Sequence, residues 1–140
     1  LNFVLSALRM VNAETDGVAL YNPLMQMGQM YFSWTTPDGY PDRSEAWQGN
    51  LMPRWQFAFA LIRNELNDTT HNLNSLLDVA STGSLQTDID SLASLLLGTP
   101  LDRLTRDGML DTVHSAGATA EETLQVIAAS LIASPAFQWR

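Results

Sequence analysis

An all-α fold, an irregular bundle of about six or seven helices with one long ordered Pro/Gly/Trp loop, is what this sequence predicts. Three observations point to it. Apolar residues recur at helical spacing in one segment after another, most clearly at Leu124, Ile127, Ala128 and Leu131. Ser, Thr, Asn and Pro stand at the heads of these segments and Gly at several of their ends. No stretch of useful length alternates as a half-buried strand would.

Over residues 1–12, Phe3, Val4, Ala7, Leu8 and Val11 form the stripe of an amphipathic helix, with Asn2, Ser6 and Arg9 opposite. Asn12 to Gly17 is turn chemistry, bending at Asp16-Gly17. Asn22-Pro23 reads as the next helix start, with Asn as N-cap and Pro at the first helical position. Leu24, Met27 and Met30 or Tyr31 continue it at helical spacing, which puts Gly28 inside the helix. There a glycine costs ~1 kcal/mol relative to Ala. Close approach of another backbone or simple tolerance accounts for it. Thr35 to Glu45 is irregular, with a turn at Pro37-Asp38-Gly39 and with Pro41 holding Tyr40 out of a helix.

A long helix follows over about 51–66, with Asn50 as its cap and Pro53 tolerated in the first turn. Leu51, Trp55, Ala58, Ile62 and Leu66 share one arc, widened by Phe57 and Leu61, which makes this helix central to the core. Arg54 falls on that apolar side. Residues 64–74 are polar and read as a loop. Leu73, Leu76, Leu77 and Ala80 predict a short helix ended by Ser81-Thr82-Gly83. Thr87 is the expected cap of the next, whose stripe is Ile89, Leu92, Ala93 and Leu96 and whose exit is Gly98. Thr99-Pro100 restarts the chain, and Thr105 is the expected cap of a helix carrying Met109, Leu110 and Val113 and ending at Gly117. Thr119 to Glu122 is a capping box for the last long helix, which closes at Ser134-Pro135.

A chain of 140 residues suits one helical domain, residues 1–140, with a core of useful size. It opens at Leu1 within a helix already under way, as expected of a C-terminal fragment whose partner is the N-terminal remainder of a longer parent. The net charge of −8, with seven Arg and no Lys, argues against a nucleic-acid partner. No apolar run approaches the ~20 residues that membrane insertion needs. Without Cys there are no disulfides, thiolate metal sites or cysteine nucleophiles.

Chemistry-bearing motifs are sparse. There is no Gly-x-Ser-x-Gly, no Ser-x-x-Lys and no Gly-rich phosphate loop, so no catalytic residue, cofactor or metal is assigned. Asp111 and His114 stand at i, i+3, too few for a metal site, and read as surface residues. His71 reads as solvent-facing in its polar loop. The pairs Asp88/Asp90 and Glu121/Glu122 are explained as helix first-turn acids.

What remains is the Tyr31–Phe59 stretch, which holds three of the four Trp. Trp34, Asp38, Tyr40, Glu45, Trp47 and Arg54 are its candidate ligand-binding residues. In one reading the rings stack on a glycan or hold a protein segment beside the carboxylates. In the other they anchor the loop to the helical core, and Arg54 pairs with Asp38 or Glu45, because a buried guanidinium must be paired. The second reading is preferred, since a long ordered loop needs such anchors.

Five blocks, in order, carry a resemblance across nearly the whole chain. They are Phe3-Val4-Leu5-Ser6-Ala7-Leu8-Arg9; Leu24-Met25-Gln26-Met27-Gly28-Gln29; Pro37-Asp38-Gly39-Tyr40-Pro41 followed by Trp47; Leu51-Met52-Pro53-Arg54 with Phe57; and Ser134-Pro135-Ala136-Phe137-Gln138-Trp139-Arg140. Together they resemble the C-terminal portion of the bacterial "domain of unknown function 1800" proteins. Tyr40 stands where that family usually has Trp, and Ala136 where it usually has Glu. The resemblance implies a longer bacterial parent, periplasmic or secreted, and brings no catalytic residue with it. The expected function is a non-catalytic helical binding or assembly module of an exported protein. The alternative is part of an enzyme, such as a polysaccharide-directed hydrolase, whose other groups lie N-terminal to this chain.

Overall fold

The computed structural model describes residues 2–28, 30, 33, 37–39, 43, 50–73, 84–116 and 119–138. Within them lie seven α-helices and a two-stranded ribbon, so the fold is all-α as the helical spacing predicts. The helices are α1 (Asn2–Met10), α2 (Tyr21–Gln26), α3 (Leu51–Ile62), α4 (Leu85–Leu97), α5 (Arg103–Ala116), α6 (Ala120–Ala133) and α7 (Pro135–Gln138).

The centre is α6 rather than α3. Ile127, Ala128, Leu131 and Ile132 are fully buried, and α6 meets α3, α4, α5 and α7. Its most extensive contact is with α3, which turns Phe57, Ala58, Leu61 and Ile62 inward. Leu51 and Trp55, expected on the buried arc, are instead 44% and 46% exposed. A helix of 12 residues buries only part of an apolar circumference, and α6 takes the Phe57–Leu61 side.

Local chemistry sets most helix ends. Asn12 and Asn64 adopt left-handed φ values of 49° and 54°, as Asn does more readily than most residues. Behind each, paired backbone bonds close a Schellman cap: Ala13 N–H to Leu8 O and Asn12 N–H to Arg9 O for α1, Glu65 N–H to Ala60 O and Asn64 N–H to Leu61 O for α3. The long helix over 51–66 therefore stops at Ile62. Gly98, at φ 65°, ends α4 where expected. Thr119 and Glu122 form the full reciprocal capping box of α6, and Ser134 closes that helix before α7 begins at Pro135.

Three caps shift. α2 begins at Tyr21, after a 3-10 turn over Val18–Leu20, so Asn22 is inside the helix and Pro23 in its first turn. Ser84 rather than Thr87 occupies the N-cap of α4. At α5 the Asp102 carboxylate accepts from Thr105 N–H at 3.0 Å, so Asp102 does the capping expected of Thr105. The expected short helix of Leu76, Leu77 and Ala80, and the Gly117 stop, lie outside the described residues.

The polar 64–74 loop contains a feature with no sequence signal. Thr69–Thr70 pairs antiparallel with Glu14–Thr15, matching Glu14 with Thr70 and Thr15 with Thr69. The Thr15 and Thr69 hydroxyls bond at 2.8 Å, and Thr69 is buried. This ribbon ties the segment after α1 to the segment after α3.

Between α4 and α5, Asp90 accepts from Arg106 Nη2 at 2.7 Å and Nε at 2.9 Å. Asp90 is therefore an inter-helix ion pair, while Asp88 stays in the first turn of α4 and is buried. Among the described residues no helix is long and apolar enough to cross a membrane.

Candidate functional site

The start of α3 is fixed by an unexpected use of its cap residue. Asn50 stands at the N-cap, but its side chain makes no capping bond. Its Nδ2 instead donates to Met27 O at 2.9 Å, across 23 residues. Gly28, at φ 65°, lies just past α2 rather than inside a helix, and a Cβ there would sit 3.4 Å from Asn50 Nδ2. Met27 and Asn50 are thus stapled. The positive φ explains a glycine at position 28; the neighbour there is a side-chain amide at ordinary contact distance, not another backbone.

Arg54 lies one turn into α3, half-buried, on the face it shares with Phe57, Ala58 and Leu61. Its Nη1 donates to Gln138 Oε1 at 2.8 Å, and its guanidinium carbon lies 5.9 Å from the Phe3 ring centre. Phe3 meets Phe57 and Phe137 edge-on, with ring centres 6.0 and 5.8 Å away. Arg54 therefore clamps α1, α3 and α7 together. The acceptor seen among the described residues is the neutral amide of Gln138; Glu45, one of the two carboxylates expected to pair with Arg54, lies outside the described residues. Nε is buried and meets no hydrogen-bond partner among the described residues. Desolvation by burial lowers the Arg54 pKa from its ordinary value; a guanidinium remains charged under all ordinary conditions.

Asp38 sits in the exposed turn with Pro37 and Gly39, and Gly39 has the φ of 81° expected of that position. Trp34, Tyr40, Glu45 and Trp47 lie outside the described residues. Trp55 donates its indole Nε1–H to Ala133 O at 3.2 Å, which pins the ring while leaving nearly half of the residue exposed. Gln138 Nε2 donates to the same carbonyl at 2.8 Å. Gln138, Ala133 and Phe3 are the partners that spacing along the sequence did not reveal.

His71 also departs from its expected place. It is half-buried, not solvent-facing. Leu73 N–H donates to its Nδ1 at 3.2 Å, so the proton resides on Nε2, which donates to Leu61 O at 2.7 Å. Both ring nitrogens are engaged with the backbone. Asp111 and His114 are exposed on α5, and no cluster of three metal-ligating side chains occurs among the described residues.

Two concavities border these elements. One, of about 600 Å³, lies between Met10–Asn12, Glu14 and Thr70–Asn72. The other, of about 320 Å³, runs between α2 and α3, over Phe57 and up to the turn at Glu65–Asn67.

The family model described as "Protein of unknown function (DUF1800)" matches residues 1–139. The chain belongs to the DUF1800 family. Neither a curated protein nor a solved structure matches it at a significant level. Of the DUF1800 blocks quoted from the sequence, the Phe3, Arg54–Phe57 and Phe137–Gln138 blocks meet at the Arg54 clamp.

Proposed function

We infer that this DUF1800 chain is a non-catalytic helical binding or assembly module, the C-terminal portion of an exported bacterial protein, and that its partner is a protein surface supplied by the rest of the parent. The observation that carries this reading is Trp55. Its indole N–H is tied down at Ala133 O, so the ring is held in one orientation while 46% exposed. A fixed, half-exposed aromatic loses little entropy on binding, which is why such residues anchor interfaces. Met52 and Leu51, 59% and 44% exposed, extend the apolar face along the first turn of α3. Arg54, by contrast, is occupied in holding three helices, which leaves it unsuited to polarising a substrate.

The test uses the remaining part of the parent, produced separately, and calorimetric titration against this chain. Saturable association is expected, weakened at least tenfold by Met52→Glu with the thermal midpoint unchanged. Turnover of a polysaccharide panel by the full parent, lost on substitution within this chain, would overturn the reading in favour of an enzyme part.

A further inference from the structure

We propose that the groove between α2 and α3 binds an extended peptide segment carrying a basic side chain. The inference rests on the binding-module reading and specifies a ligand class for a second surface of it. Asn22 and Gln26 line one wall, Gln56 the other, and Asn67 and Glu65 the end, above a floor that includes Phe57. Among the described residues, none of these carboxamides is engaged in an internal hydrogen bond. The amides of Asn50, Asn64 and Gln138 show what a structural role looks like here, each being bonded to backbone or to another side chain.

A carboxamide offers donors and an acceptor together, which matches the alternating N–H and C=O of an unpaired backbone. The spacing also fits. Residues four apart on α2, Asn22 and Gln26, are separated by about 6 Å along the axis. Alternate residues of an extended chain are separated by about 6.6–6.8 Å. At about 320 Å³ the groove falls at the small end of ligand sites and accommodates a segment of a few residues.

Charge selects the side chain. Among the described residues, Glu65 is the sole charged residue lining the groove. It lies just beyond the C-terminal end of α3, where the helix dipole is negative. Arg63, the nearest cation along the chain, is directed over the Phe59 ring at 5.5 Å and does not line the groove. With a net charge of −8 the whole molecule favours a cationic ligand over an anionic one.

The experiment titrates the ¹⁵N-labelled chain with acetyl-Ser-Lys-Ser-amide and, separately, with acetyl-Ser-Gln-Ser-amide. Saturable shifts are expected at the side-chain amides of Gln26, Gln56 and Asn67, with the lysine peptide at least threefold tighter. The double variant Gln26→Ala/Gln56→Ala should weaken binding at least fivefold, and Glu65→Gln should erase the lysine preference. These residues are exposed, so an unchanged thermal midpoint verifies that each variant folds. Equal affinity for both peptides, shifts centred away from the groove, or tighter binding of cellobiose than of the lysine peptide would each overturn the proposal. Parent association that is lost in Met52→Glu, while these peptide titrations show no binding, would overturn the groove proposal and leave the module reading standing.

Discussion

Removing the Arg54 clamp should expose how much of the fold depends on one half-buried cation. Arg54→Ala deletes the 2.8 Å hydrogen bond to Gln138 Oε1, a bond from a charged donor of the kind that contributes about 1.5–3 kcal/mol. It also deletes the contact with the Phe3 ring, which at 5.9 Å lies near the outer limit of cation–π attraction and contributes about 0.5 kcal/mol. Against these gains stands the desolvation that lowers the Arg54 pKa, together with an Nε that meets no partner among the described residues. The net expectation for Arg54→Ala is a loss of about 2–3 kcal/mol, below the roughly 3–5 kcal/mol typical of breaking a fully buried ion pair. For a domain of this size that lowers the thermal midpoint by about 6–12 °C. Arg54→Met deletes the same two interactions but keeps the packing of the stem, so its cost should be smaller than that of Arg54→Ala. The decisive assay is a double-mutant cycle in urea with Arg54→Ala and Gln138→Ala. Direct bonding predicts a coupling of about 1–2 kcal/mol. A coupling below about 0.3 kcal/mol would refute the clamp, because the two residues would then act independently.

Three further outcomes follow from other parts of the structure. Gly28→Ala places a Cβ at a φ of 65° beside Asn50 Nδ2, and urea unfolding should register a loss of about 1–2 kcal/mol. Ile127→Ala, at the fully buried centre of α6, should cost about 2–5 kcal/mol in the same assay, whereas Leu104→Ala, 83% exposed, should change stability by less than about 0.5 kcal/mol. The Asp102 carboxyl is held below its ordinary 3.8 chiefly by the Thr105 hydroxyl, and Glu122 below its ordinary 4.5 chiefly by Thr119 N–H. A carboxyl with a depressed folded pKa supports the fold above its unfolded pKa and loses that support as pH falls through the folded value. Thermal midpoints should therefore drop on acidification below those ordinary values, and less steeply in Asp102→Asn/Glu122→Gln; equal slopes would remove the two caps as a cause.

How much was legible in the sequence depended on how far apart the interacting residues are. The Thr119–Glu122 box, the Gly98 stop and the stripe of Ile89, Leu92, Ala93 and Leu96 are all local, and all stand where the spacing puts them. The caps expected at Asn22, Thr87 and Thr105 lie two or three positions earlier, at Leu20, Ser84 and Asp102, since helix starts shift by a few residues with small differences in backbone geometry. The apolar placement of Arg54 was also visible, because residues three, four and seven ahead of it are Phe57, Ala58 and Leu61.

By itself, then, the sequence determined the helical class, most of the helices, some of their caps and the location of a cation against the core. Tertiary structure decided what that cation meets. Gln138 is 84 residues from Arg54, Ala133 is 78 from Trp55, and Thr69 is 54 from Thr15. It also decided that α6 is the central helix, that Leu51 and Trp55 face outward, and that His71 is bound to the end of α3. The physical reason is range. A cap or a stripe is settled by neighbours within one or two turns, whereas the partner of a buried polar group and the buried side of an apolar helix depend on which distant surfaces arrive first-fitted against it.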